Sequence, residues 1–497
     1  MTLNLFYINV HPFLTEIFIL VTICFCLVLG AALNVSSVVS FPTLYKNFSF
    51  FVLQSLTFGL IILLNSSQIF MVAWNKLLIY DSCVLYSKIL VFLFSIFWFI
   101  CFANENKILN FEFWILNLLA ILAILLVIQS YDLLSIYTNI EFMSLTFYIL
   151  TSFKRNSEFS TESGLKYFIL GAFSSSLLLL GFTLLYNFTG LTNLQDLAIF
   201  FSGNSTKTTF FTWGLALSFF CILTSLLFKL GVGPFHYWLP DVYEGAPTIV
   251  TGFFAILSKI PILVLVVRFI FVVFLNFSYR EIFWFLLFCT FSTSLIGTAG
   301  AFIQLKWKRF LAFSSVSHLG FFMLNLCTLS SHNLDNFIIY LIIYLIMTCG
   351  FFAFFNSINV LKYPSKYHRR FLRSVSFLGL LNPSMALAFL TLLFSLAGIP
   401  PLAGFFSKFF VLFSAVSHNF LGMVFFILVL NCVACFYYIK LVKQTYFENL
   451  NNQILPINII PAKNTVAMLG ITILLITMSF LNLNIFFTFA SLVCLPY

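Results

Sequence analysis

Five ionisable side chains lie deep inside long apolar stretches of the sequence, where a charge is costly and needs a reason to be kept. They are Glu141, Lys229, Lys259, His318 and Lys408. A charge at the centre of a bilayer costs about 2.5–3.5 kcal/mol even on the most lenient insertion scale. A lysine held beside a carboxylate away from water can both bind and release a proton, which a relay requires. The set therefore favours a buried proton path.

Two further titratable groups, Lys166 and His236, lie close to these candidates along the chain. Lys166 is near the start of its apolar stretch, so its long stem can carry the ammonium to the surface. His236 directly follows a glycine–proline pair. For both of them, and for His318, a structural role inside a helix bundle is the alternative to a role in proton transfer.

Two apolar stretches contain sequence that a continuous helix does not tolerate. The breaks are predicted at Gly233, Pro234, Pro400 and Pro401. Proline lacks a backbone donor and clashes with the preceding turn, so each helix should be interrupted at membrane depth. Such backbone is tolerated only where protein or a water-filled cavity satisfies the freed groups. Because Lys229 precedes one break and Lys408 follows the other, we expect discontinuous helices rather than simple kinks.

The composition explains why these groups must be positioned by membrane helices. Hydrophobic residues make up 62% of the 497-residue chain and charged residues 8%, whereas soluble domains carry about 25% charged residues. The chain is therefore predicted to be an all-α integral membrane protein. Its basic residues are spread over short loops rather than one face, which excludes a nucleic-acid binder. The 71 phenylalanines suggest an AT-rich gene of the kind found in organelles.

The motifs of cofactor and metal sites are missing from the sequence. It contains no glycine-rich phosphate loop, no histidine pairing for haem and no cysteine cluster for iron–sulfur ligation. The eleven cysteines are interpreted as ordinary buried thiols, since neither close pair has histidine or carboxylate companions at metal-ligand spacing. We therefore expect no metal and no cofactor in this chain.

Apolar runs of about 20 residues, the length that spans a bilayer, recur along the whole chain. Fourteen spans are predicted, at residues 13–33, 50–73, 84–103, 112–130, 132–152, 164–187, 209–238, 248–271, 281–303, 310–329, 335–357, 382–414, 420–444 and 465–488. The joint between the fourth and fifth spans is very short. The two breaks place discontinuous helices at spans seven and twelve.

Basic residues in the loops indicate the orientation. With the N-terminus outside, the odd-numbered loops hold 15 of the 24 lysines and arginines, and the even loops and their margins hold five, including Lys88 and Arg268. The remaining four, Lys166, Lys229, Lys259 and Lys408, are predicted to lie within the membrane. The split favours both termini outside, with the basic run over residues 362–373 as an inner topological anchor.

The breaks lie five spans apart, which suggests two repeats. If spans four to eight and nine to thirteen are copies, their odd helix number makes them inverted in the membrane, as in transporters with midplane sites. Aligning Asp132 with Arg309 then places Glu141 opposite His318. The predicted units are an N-terminal segment over 1–111, repeats over 112–271 and 272–447, and a C-terminal segment over 448–497.

One long motif also resembles a known family. The stretch from Gly233 to Thr248, followed by Ser258-Lys259, is similar to the signature of antiporter-like membrane subunits of respiratory complex I. Within it, Asp241-Val-Tyr-Glu-Gly is similar to the subunit 2 branch, called N in bacteria, whereas subunits 4 and 5 and Mrp cation/proton antiporters generally carry an Ala-His pair there. Residues 164–168 and 397–405 match the same branch, and the resemblance covers nearly the whole chain.

The resemblance implies functional residues in spans five, six, seven, eight and twelve, which correspond here to Glu141, Lys166, Lys229, Lys259 and Lys408. It implies one proton-pumping unit of NADH:ubiquinone oxidoreductase, driven by quinone reduction elsewhere in the complex. NADH, FMN, iron–sulfur clusters and ubiquinone are then expected in partner subunits, with no redox active site in this chain.

The partners and location implied are neighbouring antiporter-like subunits and membrane lipids, with cardiolipin as a candidate, in the mitochondrial inner membrane. Both termini would face the intermembrane space; a bacterial plasma membrane is the alternative location. Two other functions stay open: a stand-alone cation/proton antiporter that uses the same lysines, and a structural subunit that no longer pumps. The tail beyond Glu448 carries no functional prediction.

Overall fold

A computed structural model of the chain describes ten stretches of sequence, which form one assembly of packed helices. These are residues 10–34, 42–66, 70–102, 111–203, 209–274, 279–328, 333–357, 370–376, 378–447 and 463–494. Within them, eleven helical stretches are long and apolar enough to cross a membrane, and five more apolar helices have 10–17 residues. The chain is thus a multi-pass α-helical membrane protein.

The helices of the N-terminal half carry three of the five central relay candidates. They are α1 (Leu14–Asn34), α2 (Pro42–Leu64), α3 (Ser82–Phe102), α4 (Phe111–Gln129), α5 (Leu133–Thr151), α6 (Glu158–Thr189), α7 (Leu194–Gly203), α8 (Thr209–Leu230), α9 (Trp238–Gly245), α10 (Thr248–Ile256) and α11 (Lys259–Arg268), which continues as a π-helix over Phe269–Phe274.

The C-terminal half begins with the long antiparallel pair α12 and α13 and ends with short helices. Its helices are α12 (Tyr279–Ile303), α13 (Trp307–Cys327), α14 (Leu334–Ser357), α15 (Leu378–Leu381), α16 (Pro383–Ala397), α17 (Ala403–Ser417), α18 (Leu421–Tyr446), α19 (Lys463–Met478) and α20 (Asn484–Cys494). Short 3-10 turns lie at His11–Phe13 and Leu372–Val375. Helices α13 and α14 are the most enclosed of the membrane helices.

A small hairpin replaces the end of the predicted second span. Helix α2 ends at Leu64, and strands β1 (Met71–Ala73) and β2 (Leu78–Tyr80) pair in antiparallel register, Val72 opposite Ile79. The prediction of a helix to residue 73 was therefore wrong at its C-terminal end. The hairpin is anchored to the bundle, because the backbone N–H of Tyr131 donates to the carbonyl of Leu77 at 3.0 Å.

The structure contains the short joint between α4 and α5 that the sequence predicts. Asp132 is the N-cap of α5: its side chain accepts from the Leu134 N–H, while the Ser135 hydroxyl bonds the Asp132 backbone in a capping box. This arrangement satisfies donors that the first turn of a helix leaves free. The chain can therefore reverse direction within three residues.

Both proline-containing segments are non-helical, and each begins at a glycine ahead of the proline. Helix α8 ends at Leu230 and α16 at Ala397. Gly231 and Gly398 follow with φ of 78° and 83°, a left-handed conformation that favours glycine at helix C-termini. The prolines lie in the links that follow, so the helices stop earlier than the proline positions alone indicate.

A third interruption separates α10 from α11 and was not predicted from the sequence. Regular helix ends at Ile256 and resumes at Lys259. Pro261 has no N–H to donate to the carbonyl of Leu257, so the helical bond is missing there. One turn earlier, the Ser258 hydroxyl donates to the Phe254 carbonyl at 2.6 Å. The predicted last span is likewise divided, since α19 ends at Met478 and α20 begins at Asn484.

Candidate proton relay

Glu141 and Lys229 form an ion pair between α5 and α8. Glu141 Oε1 and Lys229 Nζ are 3.9 Å apart, with 26% of the glutamate and 8% of the lysine side chain exposed. The distance is that of an ion pair without a direct hydrogen bond. The Ser144 hydroxyl donates to the other carboxylate oxygen at 3.4 Å. The two groups are therefore close enough for one charge to control the other.

A small cavity extends from Lys229 towards the break between α10 and α11. Its volume is about 20 Å³, and hydroxyls of Ser144, Ser174 and Ser258 lie in its wall. A buried water needs about 10–15 Å³ and two to four polar partners. The cavity thus has room for one water between Lys229 and Ser258, the residue that precedes Lys259.

Lys259 begins α11 and is buried among apolar side chains. Its ammonium donates to the hydroxyl of Tyr344, on α14, at 2.6 Å. Because Tyr344 is also fully buried, this hydrogen bond replaces water for both groups. The lysine is thereby attached to a helix of the C-terminal half.

His318 lies in the middle of α13 and is held by a second tyrosine of α14. Its Nδ1 is 2.8 Å from the hydroxyl of Tyr340, which leaves Nε2 for other partners. A second cavity of about 20 Å³ is lined by His318, Tyr344, Ser314 and Ser315. One water molecule fits there as well.

Lys408 turns back from α17 to cap the preceding half-helix. Its ammonium donates to the carbonyls of Leu396 and Ala397 at 2.8 and 3.0 Å and to the Asn431 amide oxygen at 2.7 Å. The last carbonyls of a helix have no partner within the helix and carry its negative dipole end, so a cation is favoured there. The break in this span is thus what creates the binding site of Lys408.

His318 and Lys408 share a third cavity, of about 10 Å³, with Asn431 and the hydroxyl-bearing residues Ser317 and Thr298. The five central candidates therefore follow one another from Glu141 to Lys408 through contacts and shared cavities, except between Lys229 and Lys259, where the first cavity reaches only Ser258, the chain neighbour of Lys259.

Lys166 and His236 lie outside this sequence. Helix α6 begins at Glu158, so Lys166 is in its third turn rather than its first, and 45% of its side chain is exposed. It pairs with Glu162 at 2.7 Å and Asp241 at 3.3 Å. The buried ring of His236 stacks on Tyr237, and among the described residues no hydrogen bond joins it to the relay.

Lys88 is a buried cation that the sequence analysis missed, because it was counted with the loop margins. None of its side chain is exposed; its Nζ is 2.7 Å from the carboxylate of Glu16, which is 4% exposed. Lys88 and Gln129 also donate to the Pro12 carbonyl at 3.3 and 2.7 Å. The assignment of Lys88 to the loop margins therefore concealed a cation that the protein encloses.

Arg268, the second residue counted with the margins, is buried as well. Its guanidinium donates to the carbonyls of Ile128 and Ser130 at the end of α4, and it pairs with Asp81 at 3.4 Å. It thus supports the short joint between α4 and α5. A charged residue near a helix end is exposed to solvent only if nothing covers that end. In this protein the hairpin and the short joint cover the helix ends.

An ion-pair network at the start of α13 joins the two halves of the chain. Arg309 pairs with Asp241 at 2.8 Å and with Glu244, and Lys306 also pairs with Glu244. Both carboxylates lie on α9, within the motif that carries the family resemblance. The sequence analysis assigned these two carboxylates no role. The structure connects them to Lys166, which also pairs with Asp241.

The described part of the chain contains no group of three or more His, Cys, Asp or Glu side chains that could hold a metal ion. The cysteines whose side chains are described there form no disulfide bond.

Comparison with known proteins relates this arrangement to a family. Residues 130–436 match the family model described as the membrane part of NADH:quinone oxidoreductase and Mrp antiporters. Chain 2 of NADH-ubiquinone oxidoreductase from Marchantia polymorpha is 34% identical over 95% of this chain and 96% of its own length. Subunit N of NADH-quinone oxidoreductase from Pelagibacter ubique is 35% identical over 88% and 90% of the two chains.

Two solved assemblies contain chains of the same fold. A chain of respiratory complex I from Thermus thermophilus superposes with a TM-score of 0.77 at 24% identity, covering 95% of this chain and 98% of its own. A chain of the Mrp complex from Dietzia gives 0.79 at 18% identity, covering 98% and 97%. With the family model and full-length relatives in agreement, the chain belongs to the family of NADH:quinone oxidoreductase and Mrp antiporter membrane subunits.

Proposed function

We propose that this chain is a proton-translocating subunit in the membrane arm of an NADH:quinone oxidoreductase. The observation that carries the proposal is the line of buried titratable groups from Glu141 to Lys408, linked by water-sized cavities. Its curated relatives are named chain 2 or subunit N of that enzyme. NADH, FMN, iron–sulfur clusters and ubiquinone would be held by partner subunits, and quinone reduction there would drive proton movement here.

In the proposed relay, Glu141 sets the charge of Lys229, and a proton passes by way of Lys259 and His318 to Lys408. Each transfer needs only hydrogen-bonded neighbours and single ordered waters, for which the cavities have room. Lys166, on the exposed side and paired with Asp241, is the proposed link between this line and one membrane surface. No bond other than N–H and O–H bonds changes in any step.

The proposed architecture is fourteen spans with two inverted five-helix repeats. The eleven long spans, together with α2, the α16–α17 pair and the α19–α20 pair, make up that number. The repeats are proposed over 112–271 and 272–447, flanked by segments 1–111 and 448–497. In support, each repeat contains a broken helix that begins its link at a left-handed glycine.

We place the chain in the mitochondrial inner membrane, with both termini in the intermembrane space and other antiporter-like subunits as neighbours. Cardiolipin is the lipid we propose for its inner basic surface. The loop charges and the phenylalanine-rich composition support this location. A bacterial plasma membrane is the alternative, since relatives come from plants and bacteria. Residues 362–369 of the basic anchor run lie outside the described residues.

A stand-alone cation/proton antiporter is the second candidate, favoured by the similarity to a chain of an Mrp complex. Partnership separates the two. The membranes are solubilised in mild detergent, and the complex that contains this chain is isolated on a native gel and analysed by mass spectrometry and optical spectroscopy. Flavin and iron–sulfur subunits in the same band support the oxidoreductase; sodium/proton exchange without NADH, and no such subunits, support the antiporter.

The relay itself is tested with Lys408→Met and Lys408→Gln in the assembled complex. Met removes the ammonium that donates to the Leu396 and Ala397 carbonyls and leaves only the Cys435 thiol on the latter, whereas Gln keeps an amide donor. We expect both variants to lose proton pumping, and the Gln variant to keep normal amounts of assembled complex. Normal pumping by a Gln variant that is present in normal amounts would contradict the relay.

A further inference from the structure

The connection between Lys259 and His318 joins the two proposed repeats without a carboxylate and without a direct contact between these two basic groups. Lys259 lies on α11, in the first proposed repeat, and His318 lies on α13, in the second. Helix α14 packs between them, and its residues Tyr340 and Tyr344 reach both sides. Proton transfer between the two repeats therefore depends on the side chains of α14.

The polar side chains in the middle of α14 form a stripe. Tyr340, Tyr344 and Thr348 follow one another at intervals of four residues, and residues at this spacing share one face of a helix. The Tyr344 hydroxyl accepts from Lys259 at 2.6 Å. The same side chain lines the cavity that Ser315 and His318 also line, so its own O–H is available to donate in that direction.

We propose that Tyr344 carries the proton between Lys259 and His318; the proposal rests on the proposed proton-pumping function. In the step, the Lys259 ammonium gives a proton to the Tyr344 oxygen while the Tyr344 O–H gives its proton, through one water in the cavity, to Nε2 of His318. Lys259 ends as an amine, His318 as an imidazolium, and Tyr344 again as a neutral phenol. Rotation of the Tyr344 O–H back towards the cavity then makes the hydroxyl ready for the next proton.

Tyr340 makes the direction of this step possible. When Nδ1 of His318 donates to the Tyr340 hydroxyl, the other ring nitrogen is the acceptor, since a neutral imidazole has one donor and one acceptor nitrogen. The ring is therefore held with Nε2 left for exchange. Two tyrosines that served only as packing would not need their hydroxyls on the titratable groups of two different repeats.

The test compares three substitutions in the intact complex. Tyr344→Phe removes only the hydroxyl and keeps the ring. Tyr344→His changes the shape more but restores a group that can accept and donate a proton. Tyr86→Phe is the matched control, because it removes a hydroxyl from a buried ring of α3 that packs on Phe489, outside both repeats. Proton pumping and NADH oxidation are measured in closed vesicles, normalised to assembled complex.

We expect Tyr344→Phe to slow proton-coupled turnover about 10²-fold, the low end of what a proton-transferring side chain contributes. Tyr344→His should recover a large part of the loss, and Tyr86→Phe should pump normally. Recovery by the more disruptive histidine cannot come from packing, so it separates transfer from a structural role.

Two results would overturn the inference. One is normal pumping by Tyr344→Phe; the other is equal loss in the Phe and His variants at normal assembly, which would make the tyrosine a packing residue. The Lys408→Gln variant is measured in the same vesicles. If Lys408→Gln loses pumping while Tyr344→Phe does not, the inference fails alone; if both pump normally, the proposed function fails.

Discussion

The pair Glu141–Lys229 offers the most quantitative test of the proposed relay. At 3.9 Å, two unit charges interact by about 4 kcal/mol in an effective dielectric constant of 20. Since 1.4 kcal/mol corresponds to a factor of ten, this attraction can change a proton-transfer equilibrium by about 10³-fold. Neither side chain is more than about a quarter exposed, so solvent does not screen most of it.

The perturbations are Glu141→Gln, Lys229→Met and the combination of the two. Each single variant should slow NADH-driven proton pumping by up to about 10³-fold, because it removes the attraction that controls the charge of its partner. If the two groups act as one unit, the double variant should be little slower than the slower single one. Pumping is measured in closed vesicles with assembly quantified on native gels.

The matched control is Lys76–Asp196, an exposed pair at 2.8 Å. It is shorter than the Glu141–Lys229 pair, but exposed ion pairs contribute only about 0–1 kcal/mol, so Asp196→Asn should leave turnover unchanged. Losses that multiply fully in the Glu141→Gln/Lys229→Met double variant would refute the reasoning, because they would mean that the two side chains work independently.

Three further predictions concern the frame around the relay. Lys88→Met should lower the melting temperature of the complex, because breaking a buried ion pair costs about 3–5 kcal/mol. Adding Glu16→Gln should restore most of the lost stability. No recovery would mean that Lys88 acts by packing alone. Gly398→Ala should destabilise by about 1–2 kcal/mol because of its positive φ, whereas Gly422→Ala, which has open space around it, should not. Protease should cleave residues 362–373 only from the inner side; cleavage from the side of the termini would reverse the orientation.

The cost of an isolated charge in an apolar run made the central candidates predictable from the sequence. Lys229, Lys259 and Lys408 stand out because no other charged residue lies near them in the sequence. The two proline breaks were predictable for a similar reason, since no continuous helix accommodates proline without losing a backbone bond. Full-length similarity to family members supports the membrane fold on independent grounds.

Depth in the membrane was not predictable from position along a helix. Lys88 and Arg268 lie near helix ends and would ordinarily reach water, yet the 71–80 hairpin and the short α4–α5 joint cover those ends. The neutral partners were not predictable either. Tyr344 and Asn431 do not stand out, because the chain has 20 tyrosines and buried tyrosine or asparagine alone predicts no ion or proton site.

Both broken helices end at a glycine in the left-handed conformation, but the lysines beside the two breaks have different partners. After the first break, the Phe228 carbonyl accepts from the Trp238 indole at 2.7 Å, so Lys229 remains free to pair with Glu141. After the second, no such indole intervenes, and Lys408 itself satisfies two carbonyls and Asn431.

This difference determines what happens when each lysine gives up its proton. A charged lysine has three N–H donors and a neutral one has two. Neutral Lys408 can therefore keep both carbonyls of α16 and release only Asn431, whose amide then has an acceptor oxygen free at the cavity shared with His318. Proton release at this site costs one hydrogen bond and leaves the helix cap in place. At the first break, proton release by Lys229 removes the positive charge of an ion pair, and the Glu141 carboxylate is left without its charged partner.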